Sequence, residues 1–460
     1  MRFPARVYAH RGGFTLLSSF ASALAFLTLL SVSSAAFAAE SPAALAGLDG
    51  LYPSLDSLYI DLHRNPELSL HEEKTAAKLA SRLRAAGYEV TEHVGGHGIV
   101  GVLKNGSGPT LWVRTDMDAL PVKEQTGLAY ASTATAKTDA GETVGVMHAC
   151  GHDIHMVSWL GAASLLARAK DRWHGTLVFV GQPAEELLQG AQAMIKDKLL
   201  ERFPKPDFIL GIHDTQVLPA GQVGIVSGPA SAASNAVDIT FYGKGGHGAA
   251  PHRTIDPLLM AARTVVTLQM IVSREVNPFN PAVVTVGTFH GGTKRNIIAD
   301  DAKLELTVRS YKPEVQKQLL TAIERIAKAE AAASHAPRDP SVVVIEQEAS
   351  EVVFNDPTLA TRLTASLRRG LGDSNVLTIE PTTASEDFGV FGRVANVPAI
   401  QLRLGAVEPG EFAKSKAEGR QVPGPHSALF APDRERTLRT GVTALTVGAL
   451  DLVGGGPPAK

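Results

Sequence analysis

The sequence contains one cysteine among 460 residues, Cys150. A single cysteine has no intramolecular partner, so disulfide bonds do not stabilise this chain. Outside the N-terminal segment, no stretch approaches the ~20 consecutive apolar residues that a membrane-spanning helix needs. We find no internal repeat. The sequence therefore indicates a globular protein whose stability comes from its hydrophobic cores.

The chain also has no excess of positive charge. It has 44 Lys and Arg residues against 46 Asp and Glu residues. Residues 1–39 contain three arginines and no acidic residue, so removing them lowers the basic count from 44 to 41 and leaves a net charge of about −5. This balance argues against a nucleic-acid partner and favours a soluble protein.

Residues 1–39 have the pattern of a secretory signal peptide. Arg2, Arg6 and Arg11 precede a mostly apolar run from Phe14 to Val32, and the tripeptide AFA ending at residue 38 is a suitable cleavage site. We therefore expect an exported protein, periplasmic or secreted. The apolar run is long for a signal peptide, so an uncleaved membrane anchor is the alternative. No twin-arginine pair is present.

The roughly 420 residues after the leader exceed what one hydrophobic core usually serves, so two domains are expected. Apolar strands alternate with amphipathic helices, and several strands end in polar residues, as in an α/β enzyme. One internal segment has the order β-α-β-β-α-β, the ferredoxin-like α+β pattern. The expected parts are a catalytic domain at residues 40–230 and 348–453, an inserted domain at 231–347 and a tail at 454–460.

The ten residues MHACGHDIHM, from Met147 to Met156, contain Cys150 and three histidines. Cys150 and His152 stand two apart, and in an extended loop such residues point the same way, so one cation could bind both. The alternative is a buried free cysteine beside surface histidines. Taken by itself, this stretch does not separate the two.

Further candidate ligands occur downstream. Glu185 and Glu186 follow an apolar strand in the motif PAEE, His213 lies in GIHD and His426 in GPHSALF. With Cys150 and His152, these residues supply nitrogen, oxygen and sulfur ligands for two metal ions and one additional carboxylate.

Seven motifs occur in a fixed order: RTDMDALP, MHACGHD, PAEE, GKGGHGAAPH, NIIAD, ASEDF and PHSALF. In this set the chain resembles the amidohydrolase branch of the dinuclear zinc metallopeptidases. That branch includes hippurate hydrolases, N-acyl-amino-acid amidohydrolases, N-acetyldiaminopimelate deacetylases and auxin-conjugate hydrolases. The resemblance runs from about residue 58 to 450. It implies a mixed-sheet catalytic domain with an inserted lid and dimerisation domain.

The resemblance implies a role for each candidate ligand. Cys150 would take the position of a bridging ligand, with His152 and His213 on one metal ion and Glu186 and His426 on the other. Zinc is the expected metal, with manganese or cobalt as alternatives. Glu185 would be the general base and acid of amide hydrolysis. His148 and His155 would support the ligands or the fold rather than bind metal, whereas Asp116, Asp118 and Asp153 could orient ligand imidazoles.

The resemblance also assigns residues of the inserted domain. His247 would stabilise the oxyanion after closure, in its own chain or across a homodimer joined through the inserted domains. Asn296 and Arg309 would hold the free carboxylate of the substrate or polar atoms near it, and a carboxylate suits the two-pronged guanidinium of arginine. The alternatives are a turn histidine, a turn asparagine and a solvated strand arginine. Asp214 and Thr215 stand where many relatives have an apolar residue and tryptophan.

Together these features predict a metal-dependent hydrolase that cleaves the amide bond of small N-acyl amino acids. The first alternative is a dipeptidase or aminopeptidase of the same superfamily. A different class is a periplasmic protein that binds a ligand without chemistry, and a weaker alternative is a metal-buffering protein. Glu185 beside a complete ligand set argues against the binding protein, because binding does not require a base. The candidate lid residues argue against the buffering protein, because metal storage would not require them.

Overall fold

A computed structural model describes residues 43–138 and 141–454 of the chain. The expected signal peptide, residues 1–39, and all of the expected tail except Gly454 lie outside the described residues. Within those ranges, no helix has both the length and the apolar character that crossing a bilayer requires.

The described strands are β1 (Glu89–Val94), β2 (Gly98–Asn105), β3 (Thr110–Asp116), β4 (Thr135–Lys137), β5 (Thr143–Gly145), β6 (Gly175–Gln182), β7 (Phe208–Pro219), β8 (Val223–Ile225), β9 (Gly228–Ser231), β10 (Ala233–Tyr242), β11 (Gly246–His247), β12 (Ala282–Gly291), β13 (Ile297–Ile298), β14 (Asp301–Ser310), β15 (Ser341–Ser350), β16 (Val353–Asn355), β17 (Val376–Thr378) and β18 (Ala399–Val407). The described α-helices are α1 (Leu48–Arg64), α2 (Glu73–Ala85), α3 (His152–Arg168), α4 (Gly190–Lys196), α5 (Leu199–Arg202), α6 (Pro257–Met270), α7 (Pro313–Ala333), α8 (Pro357–Leu371), α9 (Gly389–Ala395), α10 (Pro409–Glu418) and α11 (Arg434–Val453).

The main sheet has eight strands in the order β1-β2-β6-β3-β7-β18-β8-β17. Strands β6, β3, β7 and β18 are parallel, whereas β1 and β2 extend the sheet antiparallel at one edge. The carboxyl ends of the four parallel strands therefore meet at one edge, where open α/β sheets bind their ligands. This mixed sheet confirms the predicted α/β class.

Both faces of the main sheet are buried, as the continuous apolar runs of its central strands require. In β3, Leu111 and Val113 join the core beneath the long helices, which include α3 and α11, while Trp112 joins the core on the opposite face. This alternation is the two-residue period of an extended strand. The sheet is thus fixed from both sides, which gives the loops at its carboxyl edge a rigid base.

A second sheet lies within the segment between the two parts of the main sheet. It is antiparallel, with the order β12-β14-β10-β15, and α6 and α7 pack on it around a separate core. The chain order β10-α6-β12-β14-α7-β15 is the predicted β-α-β-β-α-β arrangement. We call residues 233–350 the inserted layer and the remaining described residues the main body.

Two local expectations were wrong. Helix α3 begins at His152, so Cys150 and His152 do not lie together in an extended loop. Gly151 has φ of 75° and turns the chain directly into the helix. The sequence also predicts that the apolar strand before His213 ends at the motif GIHD, but β7 continues to Pro219, so His213 lies inside the strand. Both boundaries were missed because buried polar residues interrupt the apolar periodicity.

Candidate metal centre

The five predicted ligands lie together at the carboxyl edge of the main sheet. Cys150 Sγ is 3.6 Å from His213 Nε2. Glu186 Oε1 lies 3.8 Å from His152 Nε2, and Glu186 Oε2 lies 3.3 Å from His426 Nε2. Residues separated by more than 270 positions in the sequence are thereby brought into one cluster.

Two three-residue groups in this cluster share the cysteine. One is Cys150, His152 and His213, and the other is Cys150, Glu186 and His426. Within each group the donor atoms lie within 4.8 Å of one another. Other groups with this spacing overlap them, and they include His155 with His213 and Asp214. The geometry is therefore compatible with the two-ion partition that shares Cys150, while the role of each residue as a ligand stays a prediction.

The imidazoles of His152 and His213 have the orientation that metal ligands need. His152 Nδ1 donates to the Asp118 carbonyl over 2.8 Å, and His213 Nδ1 donates to the Asp214 carbonyl over 2.7 Å. The Nε2 atom of each ring is therefore available as a lone-pair donor. Within the described chain, the buried atoms His152 Nε2 and Glu186 Oε1 have no hydrogen-bond partner. Because buried polar atoms are normally paired, these atoms fit a metal site.

The cluster carries more negative than positive charge. Burial raises the pKa of the Cys150 thiol, and the carboxylates of Glu186 and Glu185 raise it further. Burial likewise raises the pKa of the Glu185 carboxyl, with Glu386 and Glu186 adding to the shift. Bound divalent cations would offset this charge and stabilise the thiolate. The chemistry of the donor set therefore fits metal ions.

Close backbone contacts position the ligand loops. A Cβ atom at Gly151 would lie 1.9 Å from Asp214 Oδ2, and the φ of 75° also favours glycine there. The backbone N–H of His426 donates to the Ala149 carbonyl over 2.7 Å, which ties the PHSALF loop to the residue before Cys150. Glu186 is fixed by its own N–H, which donates to Asp118 Oδ2 over 2.9 Å.

A buried ionic network supports the centre from behind. Arg114 contacts Asp116 at 2.6 Å, Glu386 at 2.9 Å and Asp387 at 3.2 Å. These contacts join the RTDMDALP and ASEDF motifs across the sheet. We did not predict these ion pairs from the sequence. The detectable signal was an arginine inside an apolar strand, because a buried guanidinium requires carboxylate partners.

The three candidate orienting aspartates have different contacts. Asp118 fixes His152 through its carbonyl, whereas Asp116 Oδ1 lies 2.7 Å from His155 Nδ1. Asp153 instead contacts His63, whose Nδ1 lies 2.6 Å from Asp153 Oδ2. Asp153 therefore has no direct bond to a ligand imidazole within the described residues. His148 is buried, and neither of its ring nitrogens has a partner there.

The predicted residues of the inserted layer lie apart from this cluster. His247 pairs with Ile297, and the Gly248 N–H donates to the Asn296 carbonyl over 2.9 Å. Both His247 and Asn296 are exposed. Arg309 lies near the end of β14 and is half-buried. In the described part of the chain, none of the three hydrogen-bonds to a residue of the metal centre.

Comparison with known proteins identifies the family to which this chain belongs. A model of peptidase family M20/M25/M40 matches residues 112–420. This range includes four of the five clustered ligands, and His426 lies just beyond it. The chain belongs to this family. The matched residues include the inserted layer and parts of the main body on both sides of it.

Three relatives of this M20 family chain span most of its length. Hippurate hydrolase of Campylobacter jejuni is 39% identical over 72% of this chain and 82% of its own. Thermostable carboxypeptidase 2 of Saccharolobus solfataricus is 34% identical over 83% of this chain and 91% of its own. The crystal structure of Bacillus subtilis YXEP, described as a dinuclear metal-binding peptidase, matches with a TM-score of 0.71 and 27% identity. The match covers 88% of this chain and 100% of the YXEP chain.

Proposed function

We propose that this M20 family enzyme hydrolyses the amide bond of N-acyl amino acids and releases a carboxylic acid and a free amino acid. The observation that carries the proposal is the position of Glu185. Its carboxylate is buried, and Oε2 lies 3.7 Å from His152 Nε2, beside the clustered ligands. A relative named hippurate hydrolase supports this substrate class.

The proposed cofactor is a pair of divalent metal ions, zinc first and manganese or cobalt as alternatives. Cys150 would bridge them, His152 and His213 would hold one, and Glu186 and His426 would hold the other. Ions bound there would supply Lewis acidity that acidifies a water molecule and polarises the amide carbonyl. A soft thiolate among imidazoles and a carboxylate suits zinc.

Glu185 moves the proton in the proposed reaction. One of its oxygens accepts a proton from the attacking water and then delivers it to the leaving amine nitrogen. In the metal-free protein, burial and the nearby carboxylates of Glu386 and Glu186 raise the pKa of this carboxyl. Glu186, on the same turn, faces His426, so the two neighbouring glutamates have separate tasks.

The inserted layer supplies the proposed substrate contacts. Arg309 Nη1 is buried and has no partner among the described residues, so it is available to bind the substrate carboxylate. His247 Nδ1 accepts the Ala249 N–H over 3.1 Å, which leaves the proton on Nε2 as a donor for an oxyanion. Asn296 lies beside His247 and would bind polar atoms of the substrate.

We further propose a homodimer joined through the inserted layers. Strand β12 forms one edge of its sheet and presents exposed Phe289. Helix α6 exposes Leu259, Val266 and Met270 on its outer face. These features suit a self-complementary interface. The exposed position of His247 and Asn296 suits action on the metal centre of the partner subunit.

The alternative within the family is a peptidase that acts on dipeptides, and the carboxypeptidase relative supports it. Family membership and Glu185 favour an enzyme over a non-catalytic binding protein. We also propose that residues 1–39 direct export to the periplasm or the exterior, which fractionation of cells that express the whole chain would test.

A turnover panel tests the proposed function. The purified protein, loaded with zinc or manganese, would be given hippurate, N-acetyl amino acids, indole-acetyl conjugates and dipeptides, with the released amine measured. We expect turnover of acylated substrates and its loss with a chelator. Glu185→Gln should retain metal and fold but lose about 10²–10⁴-fold in rate. Turnover of dipeptides only would support the peptidase alternative, and a loss below about tenfold would place the base elsewhere.

A further inference from the structure

The exposed large apolar side chains of the main body lie mostly on segments that carry or support the proposed metal ligands. Among the described residues, the main body exposes six large apolar side chains, and four of them lie on segments that carry or support the proposed ligands. These four, which we call the apolar rim, are Leu70, Leu187, Val217 and Leu429. Their exposed fractions are 49%, 41%, 56% and 51%, respectively. The other two, Phe354 and Val394, lie on other elements.

Two rim residues belong to ligand-bearing turns. Leu187 directly follows Glu186, and its backbone lies on the turn between Ala184 and Leu188, both of which have positive φ values. Leu429 stands three positions after His426, and its N–H donates to Ser427 Oγ over 3.2 Å. Local hydrogen bonds and turn geometry thus fix the backbone of both leucines near the centre while their side chains face solvent.

The other two rim residues are tied to the same segments by contacts. Leu70 has φ of 67°, an uncommon value for leucine, and its N–H donates to Glu72 Oε1 over 3.0 Å. The same oxygen accepts the Ala184 N–H, next to Glu185, over 2.7 Å. Val217 follows Gln216, whose side chain lies beneath Gly424, two residues before His426.

We propose that the apolar rim binds the acyl group and gives the enzyme a preference for large apolar acyl groups over acetyl. This inference rests on the proposed function. The inserted layer offers Arg309 to the charged amino-acid end of the substrate, so the acyl end faces the main body. There the rim offers apolar surface that benzoyl, arylacetyl or medium-chain fatty acyl groups would cover.

The size of the effect follows from apolar burial. Each methylene group that leaves water contributes about 0.8 kcal/mol, equivalent to about a fourfold change in an equilibrium constant. We therefore expect kcat/KM to rise about fourfold per methylene until the rim is covered. The gain should appear mainly in KM, because these contacts form equally in the ground state and the transition state.

A homologous substrate series tests the inference with the metal-loaded full chain. N-acetyl, N-butyryl, N-hexanoyl and N-octanoyl derivatives of one amino acid would be compared in the parent protein, Leu187→Ser and Leu429→Ser. The serine variants should flatten the dependence of kcat/KM on acyl chain length. Phe354→Ser, at an exposed apolar residue outside the rim, should retain the full dependence.

The outcomes separate this inference from the proposed function. Turnover of N-acetyl amino acids without any gain from longer chains rejects the rim and keeps the proposed function. Failure to hydrolyse any N-acyl amino acid rejects the proposed function itself. If Leu187→Ser and Leu429→Ser weaken dimerisation in light scattering but keep the chain-length dependence, the rim contacts a partner subunit and the inference is wrong. Circular dichroism and metal content would verify that each variant is folded and loaded.

Discussion

Asp116 Oδ1 lies 2.7 Å from His155 Nδ1, in the buried layer behind the metal centre. The backbone N–H of Asp214 donates to the other ring nitrogen, Nε2, over 2.8 Å. Nδ1 therefore carries the hydrogen, and it donates a hydrogen bond to Asp116. Arg114 holds Asp116 from the opposite side at 2.6 Å. This series of contacts fixes strand β7 directly beside His213.

His155→Leu should weaken metal binding without unfolding the protein. The substitution removes the hydrogen bonds to Asp116 and to the Asp214 backbone, so the His213 imidazole loses its fixed position. Contacts of this kind are worth about 10–100-fold in metal affinity. Calorimetric titration with zinc would measure the change, and circular dichroism would verify the fold.

His148→Leu is the matched control for that experiment. His148 is equally buried, but its ring nitrogens have no partner among the described residues. Its replacement therefore removes an imidazole without breaking a bond in that part of the chain, and it should reduce metal affinity less. Equal losses in both variants would contradict a specific role for the hydrogen bonds of His155.

Metal binding should become tighter as pH rises. In the metal-free protein, burial and the carboxylates of Glu186 and Glu185 raise the pKa of the Cys150 thiol. Binding must therefore release the thiol proton, and proton release makes the apparent affinity increase with pH. Zinc titrations in buffers of different ionisation enthalpy would count the released protons. Cys150→Ser should bind metal more weakly and lose part of this release, and an unchanged proton count would contradict the thiolate ligand.

The sequence predicted which residue types gather at the site, because each motif carries its ligands at a recognisable spacing. It did not predict their local geometry. The start of α3 was missed because His152, Asp153 and His155 are polar residues in a buried helix. The contact between Arg114 and Glu386 spans 272 positions, and no local periodicity reports a pair so distant. The order of the inserted elements could be predicted because each strand and helix there has a regular apolar period.

His63 provides a test of stability against pH in the same buried region. Burial lowers its pKa, but the hydrogen bonds and charges of Asp153 and Glu124 outweigh burial and raise the pKa to about 9 from 6.5. The charged imidazole therefore stabilises the fold fully below about pH 6.5, and this contribution is lost as pH rises through about 9. It amounts to at most about 3 kcal/mol.

His63→Phe keeps an aromatic ring but removes the charge. Urea unfolding of the parent and the variant would be compared across this pH range. The difference in unfolding free energy should be largest near neutral pH or below it and should shrink towards pH 9. A difference that is constant over this range would mean that packing, rather than the ion pairs with Asp153 and Glu124, accounts for the stability.

His247 should act on the centre of the partner subunit in the proposed homodimer. It is exposed and has no hydrogen bond to the metal centre of its own chain within the described residues. Loss of an oxyanion donor costs about 10²–10³-fold in kcat, so His247→Ala should show a decrease of this size with unchanged metal content. His252→Ala, at an exposed histidine of the same loop, is the control and should retain activity.

Mixing His247→Ala with Glu185→Gln separates action within a chain from action across the dimer. A mixed dimer has one centre that combines Glu185 of one chain with His247 of the other, so activity should return to about a quarter of the parent level after random exchange of subunits. Parent protein mixed with the double variant, which lacks both side chains, is the control. It gives the activity that remains when subunit exchange only dilutes the parent dimers. If subunit exchange is verified by mass and activity does not return, His247 does not act across the interface. If His247→Ala by itself keeps a near-parent kcat, the histidine has no catalytic role in either arrangement.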